Sequence, residues 1–202
     1  MPPKAKFTKE EIAEQALNII KEEGAAALTA RSLGERLGTS SRPIFTAFEN
    51  MNEVKAAARA IAMREFEEYI SDFEEYKPAF KRIGMQMINY GIHQPELFKL
   101  LFMHEHSEAR SFEDIMTELG GMAEICVGLI QRDYKMTRSE AKILFEDMWV
   151  YTFGIGALCA MRVCDFTEEE TAERLGRIFV GQAAAMGFNA ECCNESSFFS
   201  TL

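Results

Sequence analysis

Thr29 to Phe48, TARSLGERLGTSSRPIFTAF, reads as two short helices joined by a tight turn. Thr29 is a good N-cap, and Ala30, Leu33 and Leu37 follow at helical spacing on one face. Gly38 stands where a left-handed residue would end the first helix. Thr39 and Ser40 offer hydroxyls for a second cap, and Pro43 falls in the first turn of the next helix, where its missing N–H does no harm. Ile44 and Phe48, four apart, give that second helix its buried stripe. Ser41, Arg42, Phe45 and Thr46 are left to face outward. A helix-turn-helix reader of DNA needs this layout, with the second helix presenting its N-terminal side chains to base edges. An ordinary αα-hairpin in an all-α domain is the competing reading.

Upstream, Thr8 and Glu11 predict a capping box. Ile12, Ala16, Leu17, Ile19 and Ile20 then give a first helix an apolar face, closed at Glu23-Gly24. Residues 1–8 read as a basic arm, with Lys4 and Lys6 placed to meet phosphate. Downstream, Glu49-Asn50 is a turn. A helix without internal Gly or Pro is expected from Met51 to about Glu75, long enough to link a head to a body.

The rest of the chain also reads as helix, and nothing alternates with period two, so the expected fold class is all-α. Helices are predicted from Pro78 to about Gln94, from Pro95 through Phe102, from Ser111 to about Ile130, from Thr137 to near Cys164, and from Thr167 to Gly187. The expected domains are a DNA-binding head over 1–50, a helical body over 51–187 and a polar tail over 188–202. Gly154, Ala157 and Ala160 on one of the last helices, and Gly176, Val180 and Ala184 on the other, would let helix axes approach closely. They predict a homodimer interface built as a four-helix bundle. Tight packing inside one monomer is the alternative.

The 202 residues are 48% hydrophobic and 11% aromatic, enough for a full core. No run approaches the roughly 20 apolar residues of a membrane span, and MPPKAKF has no apolar signal region, so a cytoplasmic location is expected. The net charge of −10 is unevenly spread. Residues 1–64 hold 10 Lys/Arg against 8 Asp/Glu, and the remainder 12 against 24. A neutral-to-basic head on an acidic body suits a protein that touches phosphate with one end only.

Five cysteines, without a CxxC pair, read as reduced thiols. Cys159 and Cys164 are expected on one helix, too far round to share a face. His104-Glu105-His106 on a helix would point its imidazoles apart, so a metal site with His93 is disfavoured and no metal or cofactor is expected. No catalytic motif stands out, no catalytic residue is assigned, and an enzyme is not expected.

From Thr8 to about Ala58 the chain resembles the TetR family of transcriptional regulators. The resemblance rests on Ile12–Thr29 (IAEQALNIIKEEGAAALT), on Thr29–Phe48 and on Glu49–Lys55 (ENMNEVK). Trp149–Ile155 (WVYTFGI) resembles a further family pattern. The resemblance implies a homodimeric regulator whose body binds a small-molecule effector and whose heads bind a palindromic double-stranded DNA operator. Carried over, Thr29 and Arg31 would meet phosphates, Ser40, Ser41, Arg42 and Thr46 would face the major groove, and Lys55 would meet phosphate. The family often has Tyr where Phe45 stands and His where Ala47 stands, which shifts the reading toward Arg42, with Phe45 beside it. The resemblance places an effector pocket in the body, among Met87, Tyr90, Phe98, Phe102, Met122, Phe145, Trp149 and Phe153. A helical sensor or carrier acting through protein partners, without DNA, is the alternative function.

Overall fold

The structure, a computed structural model, describes residues 7–104, 111–119 and 121–188. Among them there are ten α-helices and no strand. They are α1 (Lys9–Glu23), α2 (Ala30–Arg36), α3 (Ile44–Ala47), α4 (Met51–Tyr69), α5 (Ala79–His93), α6 (Pro95–Phe102), α7 (Phe112–Leu119), α8 (Gly121–Tyr134), α9 (Arg138–Ala160) and α10 (Glu168–Ala185). The fold is all-α. The chain forms two compact units, one of residues 1–69 with 94–104 and one of residues 70–93 with 105–202. The division between these units falls after Tyr69, and a short stretch containing α6 returns to the first unit.

In the first unit α1, α4 and α6 pack on one another. Ile12, Ala16, Ile20, Val54, Ala58 and Ala62 are wholly buried, and each large aliphatic side chain removed from water is worth roughly 1.5–3 kcal/mol. Phe102 carries α6 into this core. Its ring lies 5.3 Å edge-on from Phe66 and 5.0 Å from Phe98. Arg59 of α4 donates from Nη2 to the Leu101 carbonyl at 2.9 Å, satisfying an end group of α6. The capping boxes at Thr8 and Thr29 are both formed, with Glu11 and Ser32 as the respective reciprocal partners.

In the second unit α5 is buried on most of its circumference and packs against α8, α9 and α10. Gly91 of α5 meets Gly156 of α9 so closely that a Cβ on Gly91 would stand 2.8 Å from the Gly156 carbonyl oxygen. Rings complete the core: Phe80 lies 6.2 Å from Phe145, and Tyr134 lies 4.7 Å from Phe179. Lys81 and Gln86 are buried polar members of α5, and desolvation holds the Lys81 ammonium below its ordinary pKa. Thr137 with Glu140 and Thr167 with Glu170 cap α9 and α10 as predicted.

Four helix ends depart from the expected ones. The linking helix stops at Tyr69, and Ser71–Glu75 is a 3-10 turn. There Asp72 accepts from Arg82 Nη2 and Gln86 Nε2, each at 2.7 Å, an arrangement that competes with continued α-helix. The helix expected from Ser111 to Ile130 is two, α7 and α8, around the sequence Gly120-Gly121, glycine being a poor helix former. Ser111 does cap α7, in a reciprocal pairing with Asp114. Helix α9 ends at Ala160 because Arg162 turns left-handed (φ 56°). Helix α10 ends at Ala185, just before the left-handed Gly187. Helix α9 is also long and apolar enough to cross a membrane by length and composition, contrary to the expectation that no segment is. It buries Ala141, Leu144, Phe145, Met148 and Ile155 and carries Glu146 and Asp147, as a core helix with one solvent face does.

Candidate functional site

The turn between α2 and α3 is built on Gly34. A Cβ there would lie 3.1 Å from the Thr39 carbonyl oxygen, 3.2 Å from the Ser40 carbonyl carbon and 3.3 Å from the Ser41 nitrogen. The chain leaves α2 through Gly38 (φ 63°) and folds back so that the Thr39 N–H donates to the Gly34 carbonyl at 2.9 Å. A side chain at that position would force the turn to give by a few tenths of an ångström. Gly34 is the residue that the pattern reading passed over, and its signal was a glycine inside a helix, which needs a reason.

Helix α3 is shorter than its stripe implied. No side chain caps it, so Thr39 and Ser40 do not serve as its N-cap; Pro43 occupies that position in helical conformation. The turn begins earlier through the backbone instead: the Ser41 carbonyl accepts from the N–H groups of Ile44 and Phe45 at 3.1 and 3.3 Å. Ile44 and Phe48 are buried as expected. Ser40, Arg42, Phe45 and Thr46 are exposed and Ser41 is half-buried. Phe45 is 46% exposed, a large apolar face turned to water at the start of α3.

The hydrogen bonds sort these side chains by what they have left to offer. The Thr46 hydroxyl donates to the Arg42 carbonyl at 3.0 Å, so its proton is already used. Thr29 is engaged with Ser32 in its capping box. Arg31 donates from Nε to Glu35 at 2.9 Å and is locally neutralised. Arg36 is paired with Glu22, which holds that carboxyl below its usual range. Arg42 and Lys55, both exposed, have no ion-pair partner among the described residues. Lys55 is the fifth residue of α4, whose N-terminal amides are capped by Asn50: its Oδ1 accepts from the N–H groups of Asn52 and Glu53 at 2.9 and 3.1 Å. Lys9 lies over the Phe48 ring at 5.2 Å. Lys4 and Lys6 lie outside the described residues.

The aromatic and methionine residues assigned to a pocket do not gather in one unit. Phe98 and Phe102 belong to the first unit, in the cluster with Phe66. Met87, Tyr90, Met122, Phe145, Trp149 and Phe153 belong to the second. There Trp149 stacks on Phe153 with ring centroids 5.3 Å apart and meets Phe112 edge-on at 5.7 Å. The second unit also has a cleft of about 240 Å³ between α7, α8 and α9, over Met116, Ala123 and Val127. Its rim holds two closed ion pairs, Arg138 with Glu124 at 2.8 Å and Lys142 with Glu113 at 2.6 Å. None of the residues assigned to the pocket lines this cleft.

The small residues of α9 and α10 divide as well. Gly156, Ala160 and Gly176 are buried within their own unit. Gly154, Ala157 and Val180 are half-buried and Ala184 is exposed, with open space where a Cβ on Gly154 would stand. Beside them α9 exposes Ile143, Val150 and Leu158, and its C-cap Met161 is exposed too, each between 39% and 57% accessible. At intervals of seven, eight and three residues these share one helix face with Gly154. His93 lies in the second unit and His104 in the first, while Glu105 and His106 are outside the described residues. No protein-family model matches this chain, and no curated protein matches it significantly.

Proposed function

We propose that the protein is a sequence-specific DNA-binding transcriptional regulator, a cytoplasmic homodimer of the TetR type whose affinity for a palindromic operator responds to a small molecule. The observation that carries the reading is the α2–α3 corner. A turn packed tightly on Gly34 leaves Arg42 exposed just before α3 and Phe45 exposed on its first turn, with the guanidinium unpaired among the described residues. Arg42 can donate bidentately to guanine O6 and N7, and Phe45 can pack on a thymine methyl. Lys55 and the arm lysines Lys4 and Lys6 supply phosphate contacts, and Thr29, Ser40 and Ser41 supply hydroxyls. The paired Arg31 must exchange Glu35 for phosphate to contribute.

Dimerisation is assigned to the apolar face of α9 through Ile143, Val150, Gly154 and Leu158, together with Val180 and Ala184 of α10. An uncovered stripe of this kind is commonly an interaction site. In this reading the effector binds among the body helices and favours a dimer whose two α3 helices no longer match successive major grooves, about 34–36 Å apart. The effector must bind one state better than the other to have that effect. No catalytic role is proposed.

Titration of the purified protein into DNA from upstream of its own gene, and into random DNA, tests the reading at two salt concentrations. Saturable binding to the first at concentrations well below the second is expected, with affinity falling steeply as salt rises. Equal absence of binding to both would leave the body as a sensor acting through proteins. The acidic second unit and the cleft at α7–α9 are what favour that second reading.

A further inference from the structure

The cleft of the second unit sorts its charges by helix. Met116 lies three residues from Glu113 on α7, Val127 three from Glu124 on α8, and Lys142 four from Arg138 on α9. Each helix therefore turns one stripe toward the opening. The floor is apolar, with Met116, Ala123 and Val127 all buried. Both rim cations stand on α9, about 6 Å apart along its axis at 1.5 Å per residue. Both of their carboxylate partners stand across the opening, on α7 and α8. Arg138 Nη2 donates to the two Glu124 carboxylate oxygens at 2.8 Å, and Lys142 Nζ donates to Glu113 Oε2 at 2.6 Å. All four side chains are at least 41% exposed, so these pairs are screened and open at little cost. The Thr117 hydroxyl spends its proton on the Glu113 carbonyl at 2.9 Å and keeps its oxygen as an acceptor.

We propose that this cleft binds a small zwitterion with an apolar side chain, of the class of the apolar α-amino acids. A simple anion entering here is drawn to Arg138 and Lys142 but repelled by Glu113 and Glu124, and a simple cation meets the reverse difficulty. A molecule carrying both charges replaces each ion pair of the rim with one of its own. Its carboxylate lies against α9, between Arg138 and Lys142. Its ammonium lies against Glu113 and Glu124, with Thr117 as a further acceptor, and its side chain covers Met116, Ala123 and Val127. The size agrees: about 240 Å³ is below the roughly 300–1,000 Å³ of clefts for drug-sized ligands. The inference needs no DNA-binding activity and is tested without DNA, so it and the proposed function fail separately.

The test is calorimetric titration of the full chain with L-leucine, L-methionine and L-phenylalanine. Saturable binding of at least one of them, at millimolar concentration or below, is expected. The matching acid without the amine, and the matching amine without the carboxylate, should bind roughly tenfold more weakly or worse, because each forfeits a charge-assisted hydrogen bond. The double variant Glu124→Arg/Arg138→Glu keeps an ion pair across the cleft with its direction reversed. Its thermal unfolding should match wild type while its amino-acid affinity falls by a similar factor. Lys142→Gln, which removes one cation and keeps the length of the side chain, should weaken binding in the same way. Binding of none of the three amino acids, equally tight binding of the acid or the amine, or wild-type affinity in either variant would overturn the proposal.

Discussion

Glycine lets the chain approach itself in both units, but to different ends. At Gly34 the backbone of the α2–α3 turn lies over a helix, and what the contact achieves is the outward display of Arg42 and Phe45. At Gly91 and Gly156 two long helices touch backbone to backbone, and what is achieved is core. The surroundings differ in the same sense. Near the second unit's cleft the cations are closed into pairs, Arg138 with Glu124 and Lys142 with Glu113. In the first unit Arg31 and Arg36 are paired, whereas Arg42 and Lys55 lack ion-pair partners among the described residues. Under the proposed DNA-binding function, a site that must bind phosphate or a base edge keeps charge available, and a helical body has no such need.

The helix crossing gives the largest effect. In Gly91→Ala the new methyl meets a carbonyl oxygen at 2.8 Å and a Cα at 3.2 Å, both backbone atoms that cannot rotate away. A loss of about 3 kcal/mol in denaturant unfolding is expected, well beyond the ~1 kcal/mol that alanine gains over glycine in a helix. Gly128→Ala, with open space around it in α8, isolates that gain and should stabilise by up to about 1 kcal/mol. If both variants moved in the same direction, the crossing would not be the constraint described.

Next comes the difference in free charge. Arg42→Ala should weaken operator binding by roughly 1–3 kcal/mol and relax preference at one base pair, with thermal unfolding unchanged. Lys55→Ala should weaken binding to all sequences and reduce the salt dependence by about one counterion. Arg138→Ala, in the cleft rim, should leave DNA affinity where it was. Mobility-shift titrations of the three variants side by side would show whether the unpaired cations are the ones that matter.

The turn itself gives a smaller effect. In Gly34→Ala the methyl falls 3.1–3.3 Å from Thr39–Ser41, a distance at which the turn must yield by a few tenths of an ångström. The strain is partly offset by helix propensity, so a net loss of about 1 kcal/mol is expected. Operator affinity should fall further than stability does, since a shifted turn re-aims α3. A variant that binds operator normally would separate the glycine from the display of Arg42.

What was legible in advance was local. Thr8, Thr137 and Thr167 each stand three residues before a glutamate, and all three capping boxes form because their chemistry is confined to one helical turn. The stripe of Ile44 and Phe48 was equally readable. What was not legible depends on distant partners. Gly91 and Gly156 are 65 positions apart, and neither announces the other. Phe98 and Phe102 read as body aromatics, but α6 packs with α1 and α4, so they join the first unit's core. The end of α4 was missed because Ser71–Glu75 carries no proline or glycine. The competing partners of Asp72 come from Arg82 and Gln86, on the next helix.

That last cluster yields the smallest effect and tests why α4 stops. Arg82 and Gln86 donate to Asp72, and Arg82 lies 4.1 Å from the centroid of the Tyr76 ring, which together favour the 3-10 turn over a further turn of α-helix. The Arg82 guanidinium, chiefly through its hydrogen bond, holds the Asp72 carboxyl below the usual aspartate value. A carboxyl with a depressed folded pKa contributes stability above its unfolded value, near 3.9, and loses it as pH falls through the folded value. The carboxylate side chain is about one-third exposed, so the pair is screened and Asp72→Asn should cost only roughly 0.5–1 kcal/mol at neutral pH. The difference between wild type and variant should shrink as pH falls through and below the aspartate range, because the wild-type carboxyl then becomes neutral as well. Unfolding midpoints measured for both proteins from neutral pH down to the acid limit of reversible folding would reveal this convergence. A difference independent of pH would mean that shape, not charge, ends α4 at Tyr69.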